Sequence, residues 1–166
     1  IGDSTAIWFA QRVGSEIHII DYYENSGESL AHYADVLLEK DYAYERHIAP
    51  HDIQARELGT GKSRLEVANE LGIDFEVAPK LEVDHGIECV RNTLPNCWFD
   101  REKCKLGLDA LRQYRKQWDD KNQVFKNKPL HDWCSHAADA FRYGCVHDPV
   151  DTTQWTKPIK IDTTYI

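Results

Sequence analysis

Thr5-Ala6-Ile7-Trp8-Phe9-Ala10, a turn at Gly14-Ser15, and Ile17-His18-Ile19-Ile20-Asp21-Tyr22-Tyr23 open the chain with two β-prone runs. The first is unbroken and apolar, and the second partly alternates. Two such runs across a short Gly-containing turn predict an antiparallel hairpin. The period changes immediately afterwards. Beyond Ser29, a candidate cap, Leu30, Tyr33, Ala34, Leu37 and Leu38 recur at the i, i+3, i+4, i+7, i+8 spacing of an amphipathic helix.

Working outward, a strand is expected over Tyr44 to Ala49, stopped by Pro50, followed by a loop through Ser63. A helix from Arg64 to Leu71 ends at Gly72, and a short strand runs from Phe75 to Ala78. Asp84 to Thr93 is a helix closed before Pro95. Cys97-Trp98-Phe99 is expected as a buried strand. Leu106, Leu108, Leu111 and Tyr114 place a long helix over Glu102 to Trp118, and a final helix spans Trp133 to Cys145. From Asp148 onward Pro149, Thr152, Thr153 and Pro158 break all periodicity. A hairpin followed by alternating β and α elements predicts an α/β domain, a mixed sheet with helices packed on it.

The 166 residues suffice for one domain with a real core. No apolar run approaches the ~18 residues of a membrane helix, and the start has no basic lead or apolar stretch of a secretory signal. Met is absent even from position 1, so the chain is expected to be a piece of a longer translated protein. Twenty Lys and Arg against 28 Asp and Glu give a net charge of -8. Such a surface repels phosphate backbones, so a nucleic-acid partner requires a local basic patch or bound cations. The cysteines (89, 97, 104, 134 and 145) are odd in number and widely spaced, with no C-x-x-C pair. They read as small apolar residues in a reducing compartment rather than a disulfide framework. His85 and Cys89 belong to no finger-type zinc spacing.

Three places carry candidate metal chemistry. On the last helix, His136 and Asp139 are i and i+3 and share a face, Asp132 sits one turn earlier, and Ala137, Ala138 and Ala140 keep the surroundings small. Asp52 follows a strand at the end where open α/β sheets gather ligands. Asp3 heads the first strand. Taken singly, each is equally a cap, a turn residue or a solvated terminus. Gly59-Thr60-Gly61-Lys62-Ser63 imitates a phosphate loop, but Arg56 stands where the Walker pattern needs Gly. It is a loop in which Lys62 and Arg64 are placed to touch phosphate. Between positions 112 and 128, Arg112, Arg115, Lys116, Lys121, Lys126 and Lys128 face only Asp119 and Asp120, with Tyr114, Trp118 and Phe125 interleaved. This local +4 suits a nucleic-acid backbone and stacking on bases. It equally describes a solvated helix face running into a surface hairpin.

Gly2-Asp3-Ser4-Thr5-Ala6-Ile7-Trp8, Ala49-Pro50-His51-Asp52 and Ser135-His136-Ala137-Ala138-Asp139-Ala140-Phe141-Arg142-Tyr143 together resemble, in order and spacing, the nuclease domain of the large terminase subunit of tailed bacteriophages. The resemblance implies an RNase H-like fold over residues 1–147 and an extended tail over 148–166. It implies a metal-dependent DNA endonuclease that cuts concatemeric viral DNA during packaging. Asp52, His136 and Asp139 then bind Mg²⁺ or Mn²⁺, two ions being expected, with Asp132 in reserve. The family usually carries a further Asp in a D-x-G segment just ahead of the G-D-S-T string; here Asp3 either substitutes for it or is its neighbour. The implied partners are double-stranded DNA, an ATPase domain on the N-terminal side, the small terminase subunit and the portal, in the bacterial host cytoplasm. Competing expectations are a non-catalytic DNA-binding or docking module of the same fold, and a small zinc protein.

Overall fold

The structure, a computed structural model, describes residues 4–149. Asp3 and the tail beyond Pro149 lie outside the described residues. Strands β1 (Ser4–Val13) and β2 (Glu16–Ser26) form the expected antiparallel hairpin, turning at Gly14 and Ser15. Its register slips between Phe9 and Ala10, where Phe9 faces Asp21 and Ala10 faces Ile19. Helix α1 (Leu30–Glu39) follows, with Ser29 at its N-cap position but making no side-chain cap bond. Then come β3 (His47–Ala49), a 3₁₀ turn (His51–Gln54), α2 (Arg64–Glu70), β4 (Phe75–Val77), α3 (Val83–Thr93) and β5 (Cys97–Phe99). The last elements are α4 (Lys105–Gln113), β6 (Lys116–Asp119), β7 (Val124–Pro129) and α5 (Ser135–His147).

The fold class is α/β, as expected, but the strands divide among three sheets. β1-β2-β5 is mixed, with β2 antiparallel to β1 and parallel to β5; β3-β4 is parallel; β6-β7 is an antiparallel hairpin. Alternation along β1 supplies both sides of the main sheet. Ala6 and Trp8 join Ile19, Tyr22, Ala110, Ala137 and Phe141 under α4 and α5. Ile7 and Phe9 join Ala34, Leu37, Ala68 and Ile73 under α1 and α2. The helix cover comes close enough to need a glycine, since a Cβ at Gly107 would run into the Trp8 ring.

Two expectations are corrected. The helix expected to run to Trp118 stops at Gln113, because Tyr114 turns extended and the next residues pair with β7, with the Leu130 N–H donating to the Arg115 carbonyl at 2.8 Å. Cys97–Phe99 is not a buried strand. It is an edge strand, and Trp98 is 61% exposed on its outer face. As expected, Ser63 belongs to no Walker loop and α2 starts at Arg64: Ser63 accepts from the Glu66 N–H at 3.1 Å while Glu66 accepts from the Ser63 N–H at 2.7 Å, a capping box. All five cysteines are free, three of them buried. Among the described residues no helix is long and apolar enough to cross a membrane.

Candidate functional site

Three anchors fix how α5 lies on the strands. The Trp8 indole donates to the Ala137 carbonyl at 2.9 Å. At the far end Asp148 accepts from Arg12, at the end of β1, and from Arg46, just before β3, at 2.8 and 3.0 Å. The His51 ring meets Tyr143 at 6.1 Å. Helix α5 therefore runs along β1 and against β3. Tyr143, in its C-terminal half, lies beside the 3₁₀ turn that carries Asp52, while its N-terminal half, with His136 and Asp139, is tied to the middle of β1 through Ala137. Of the sequence candidates, Asp139 and His136 stand about one and two helical turns before Tyr143 on α5, and Asp52 follows His51 directly in the 3₁₀ turn.

Their surroundings differ. The Asp52 side chain is exposed and its carboxylate has no hydrogen-bond partner among the described residues, and the neighbouring His51 Nδ1 is buried without one. Asp139 accepts at Oδ1 from Arg142 Nη2, 2.9 Å away, and keeps Oδ2 free. It lines a cavity of about 140 Å³ with Val83, Tyr114, His131, Ser135 and Arg142 among its walls. Burial, then the Asp139 charge, pushes the Tyr114 hydroxyl up to about 12, so it stays a neutral hydroxyl beside the carboxylate. His136 packs against His131 with ring centroids 5.7 Å apart.

Asp132 is already engaged. Its Oδ1 accepts from the Cys134 thiol at 2.7 Å and from the Cys134 N–H at 3.2 Å, and Arg115 lies 3.6 Å from Oδ2. The thiol hydrogen bond is foremost in holding this carboxyl below its usual range, while burial and Asp132 push the thiol up to about 12. Asp132 acts here as the cap of the turn entering α5.

Among the described residues no three of His, Cys, Asp and Glu converge closely enough to hold one ion. The donor chemistry nevertheless suits a hard cation. Two carboxylates with free oxygens match the habit of Mg²⁺, which takes one or two protein carboxylates and completes its octahedron with water and substrate phosphate. An added imidazole favours Mn²⁺.

The basic residues fall into two groups. Lys62 pairs with Glu70 at 2.5 Å and Arg64 with Glu57 at 3.4 Å, so the loop before α2 neutralises itself. Lys116, Lys121, Lys126 and Lys128 lie on or beside the β6-β7 hairpin and have no ion-pair partner among the described residues. Arg112 contacts Asp109 at 3.2 Å, and Arg115 contacts Asp132. Sequence reasoning missed Arg101 and Lys105, which share a cleft of about 260 Å³ with Leu108, Asp109 and Arg112. Their four- and seven-residue spacings into and along α4 are the signal that would have found them. It also missed Arg142, for which no local pattern announces burial.

No protein-family model and no curated protein matches the chain. Solved structures do. The large terminase of a thermophilic bacteriophage, solved with ATP-gamma-S, superposes over 87% of this chain with a TM-score of 0.67 at 18% identity. The nuclease domain of g2p, the large terminase of bacteriophage SPP1, solved with bound Mn, superposes over 84% of this chain and 75% of its own length, with a TM-score of 0.63 at 22% identity. The chain spans only 36% of the thermophilic phage's protein. Its fold is that of the terminase nuclease domain.

Proposed function

We propose that the chain is the nuclease domain of a phage or prophage large terminase, a metal-dependent endonuclease that cuts concatemeric viral DNA during packaging in the bacterial host. The observation that supports this reading is a fold shared with the two phage terminases, in which Asp52 and Asp139 stand on neighbouring elements, the 3₁₀ turn after β3 and α5. The manganese bound in the SPP1 domain supports a divalent ion.

Asp52 and the free Oδ2 of Asp139 would hold Mg²⁺ or Mn²⁺, with His136 at the rim and Asp3 as a further candidate from the head of the chain. When bound, a pair of such ions activates water and stabilises the leaving oxygen of a phosphodiester. The residues themselves gather and orient cations, which lets a chain of net charge -8 approach a polyanion. Arg101, just before α4, Lys105 and Arg112 on it, and the hairpin lysines supply phosphate contacts. No base-reading helix is presented, so the cut is expected to be nearly indifferent to sequence. In the whole protein an ATPase domain, the small terminase subunit and the portal would be its partners.

The absence of a third described ligand favours one rival, a DNA-binding module of the same fold that does not cut. Nicking of supercoiled plasmid in Mn²⁺, Mg²⁺ and EDTA separates the two. A nuclease nicks only with metal and falls to background in Asp52→Ala and in Asp139→Ala. Retained DNA binding with no nicking in any metal assigns the rival.

A further inference from the structure

Arg142 is 7% exposed. Arginines are almost never buried without a full set of partners, because stripping water from a guanidinium costs several kcal/mol that only good pairing returns. Here the pairing is sparse. Nη2 donates to Asp139 Oδ1 at 2.9 Å, the guanidinium carbon lies 4.8 Å from the centre of the Tyr143 ring, and Nε is buried with no partner. A buried cation that spends its one ion pair on a carboxylate 41% exposed is poorly arranged for stability. It is well arranged to hold that carboxylate still.

The route of the side chain is also built. Arg142 passes between α5 and α3 beneath Gly86, where an added Cβ would sit 2.7 Å from Arg142 Cδ and 2.9 Å from Cγ. Such separations are closer than carbon atoms tolerate, so any other residue at position 86 must displace the arginine.

We propose that Arg142 is a positioning residue: threaded past Gly86, its buried guanidinium pins Asp139 by Oδ1 and leaves Oδ2 set for a divalent cation. This rests on Asp139 being a metal ligand. An ordinary i, i+3 pair on a helix surface samples many geometries and contributes little. Clamping the arginine in the core fixes the carboxylate before any ion arrives, which is how outer-shell partners raise affinity for a metal. Gly86, on another helix and touching no ligand, then acts on the site through Arg142.

Mn²⁺ binding by the chain, followed by electron paramagnetic resonance of the free ion, tests this without turnover. Wild type is compared with Arg142→Lys, Arg142→Gln, Gly86→Ala, Asp139→Asn and the Gly86→Ala/Asp139→Asn double variant, each checked for fold by circular dichroism. Loss of an outer-shell partner weakens metal binding by about 10- to 100-fold. That loss is expected in Arg142→Lys, which keeps the charge but not the planar fork, and in Gly86→Ala, with no further loss when Gly86→Ala is added to Asp139→Asn. If Gly86→Ala does not fold, Arg142→Lys decides. Unchanged binding in the Arg142 and Gly86 variants, with Asp139→Asn still impaired, overturns the positioning role alone. Tighter binding in Arg142→Gln overturns it too, since the arginine would then be competing with the cation. A wild type that binds no Mn²⁺ and nicks no DNA overturns the nuclease reading and this inference together.

Discussion

Asp21–Lys40 and Asp139–Arg142 are both carboxylate–cation contacts at the margin of the core, built opposite ways round. In the first the carboxylate is sunk, its side chain 6% exposed, and the lysine reaches in from outside at 2.6 Å. Both Asp21 oxygens are used, Oδ1 by the Tyr22 N–H and Oδ2 by Lys40 and the Tyr42 hydroxyl. In the second the cation is sunk and the carboxylate is left outside with an oxygen to spare. A closed carboxylate has its charge spent within the fold; an open one keeps an oxygen available to a ligand. Partner count and exposure separate the two more surely than charge does.

Stability offers the largest break in the comparison. Lys40→Met leaves a buried anion without its countercharge and is expected to cost about 3 kcal/mol. Asp139→Asn also leaves a buried ion, Arg142, without its countercharge but keeps an acceptor for its N–H, and is expected to cost less, about 2 kcal/mol. Urea denaturation of both variants checks the order, and equal losses would erase the distinction between structural and site carboxylates.

The pH dependence sharpens it. Burial pulls the Asp21 carboxyl upward, but the Lys40 and Tyr22 hydrogen bonds and the Lys40 charge outweigh it, so its folded value lies below the ordinary one. The folded chain therefore binds fewer protons here than the unfolded chain. The contribution of Asp21 is complete above about pH 4 and is lost as pH falls through the folded value. In Lys40→Met burial dominates and the sign reverses, stability declining as pH rises above about 4. Denaturant midpoints between about pH 3 and 6 distinguish the two slopes.

The smallest effects belong to the exposed pairs. Lys62→Ala and Arg64→Ala are expected to change stability by at most about 0.5 kcal/mol, as exposed ion pairs do. They should leave the salt dependence of DNA binding untouched. Removing Arg101, Lys105 and Arg112 together should instead lower the log–log salt slope by about 0.9 for each phosphate no longer neutralised. Fluorescence anisotropy at several salt concentrations measures both.

Much of this was legible in the chain. Periodicity and breakers located α1, α2, α3, α5 and the opening hairpin because each buries a face that its own residues define. The end of α4 was not legible: Leu111, Tyr114 and Trp118 continue a helical stripe, and only pairing of β6 with β7 pulls the later residues out of it. Trp98 reads as core because nothing local marks β5 as an edge. Asp52 and Asp139 were found as motif residues, but the apposition of the elements that carry them depends on α5 lying against β3, a meeting of segments far apart in sequence. Nothing beside Asp132 tells that Cys134 and Arg115 take up its oxygens, and the burial of Arg142 depends on a glycine in another helix.

Trp8 adds an optical consequence. Its indole is enclosed by Tyr22, Phe99 and Phe141 at ring distances of 4.4 to 6.0 Å and tethered to Ala137, the residue between His136 and Ala138. Trp98, Trp118 and Trp133 are all at least 44% exposed. Among the described residues, the blue edge of the emission, and the light that iodide does not quench, therefore belong chiefly to an indole that touches the backbone of the helix carrying His136 and Asp139. The chain holds its own dye at the place where a bound ion would be felt.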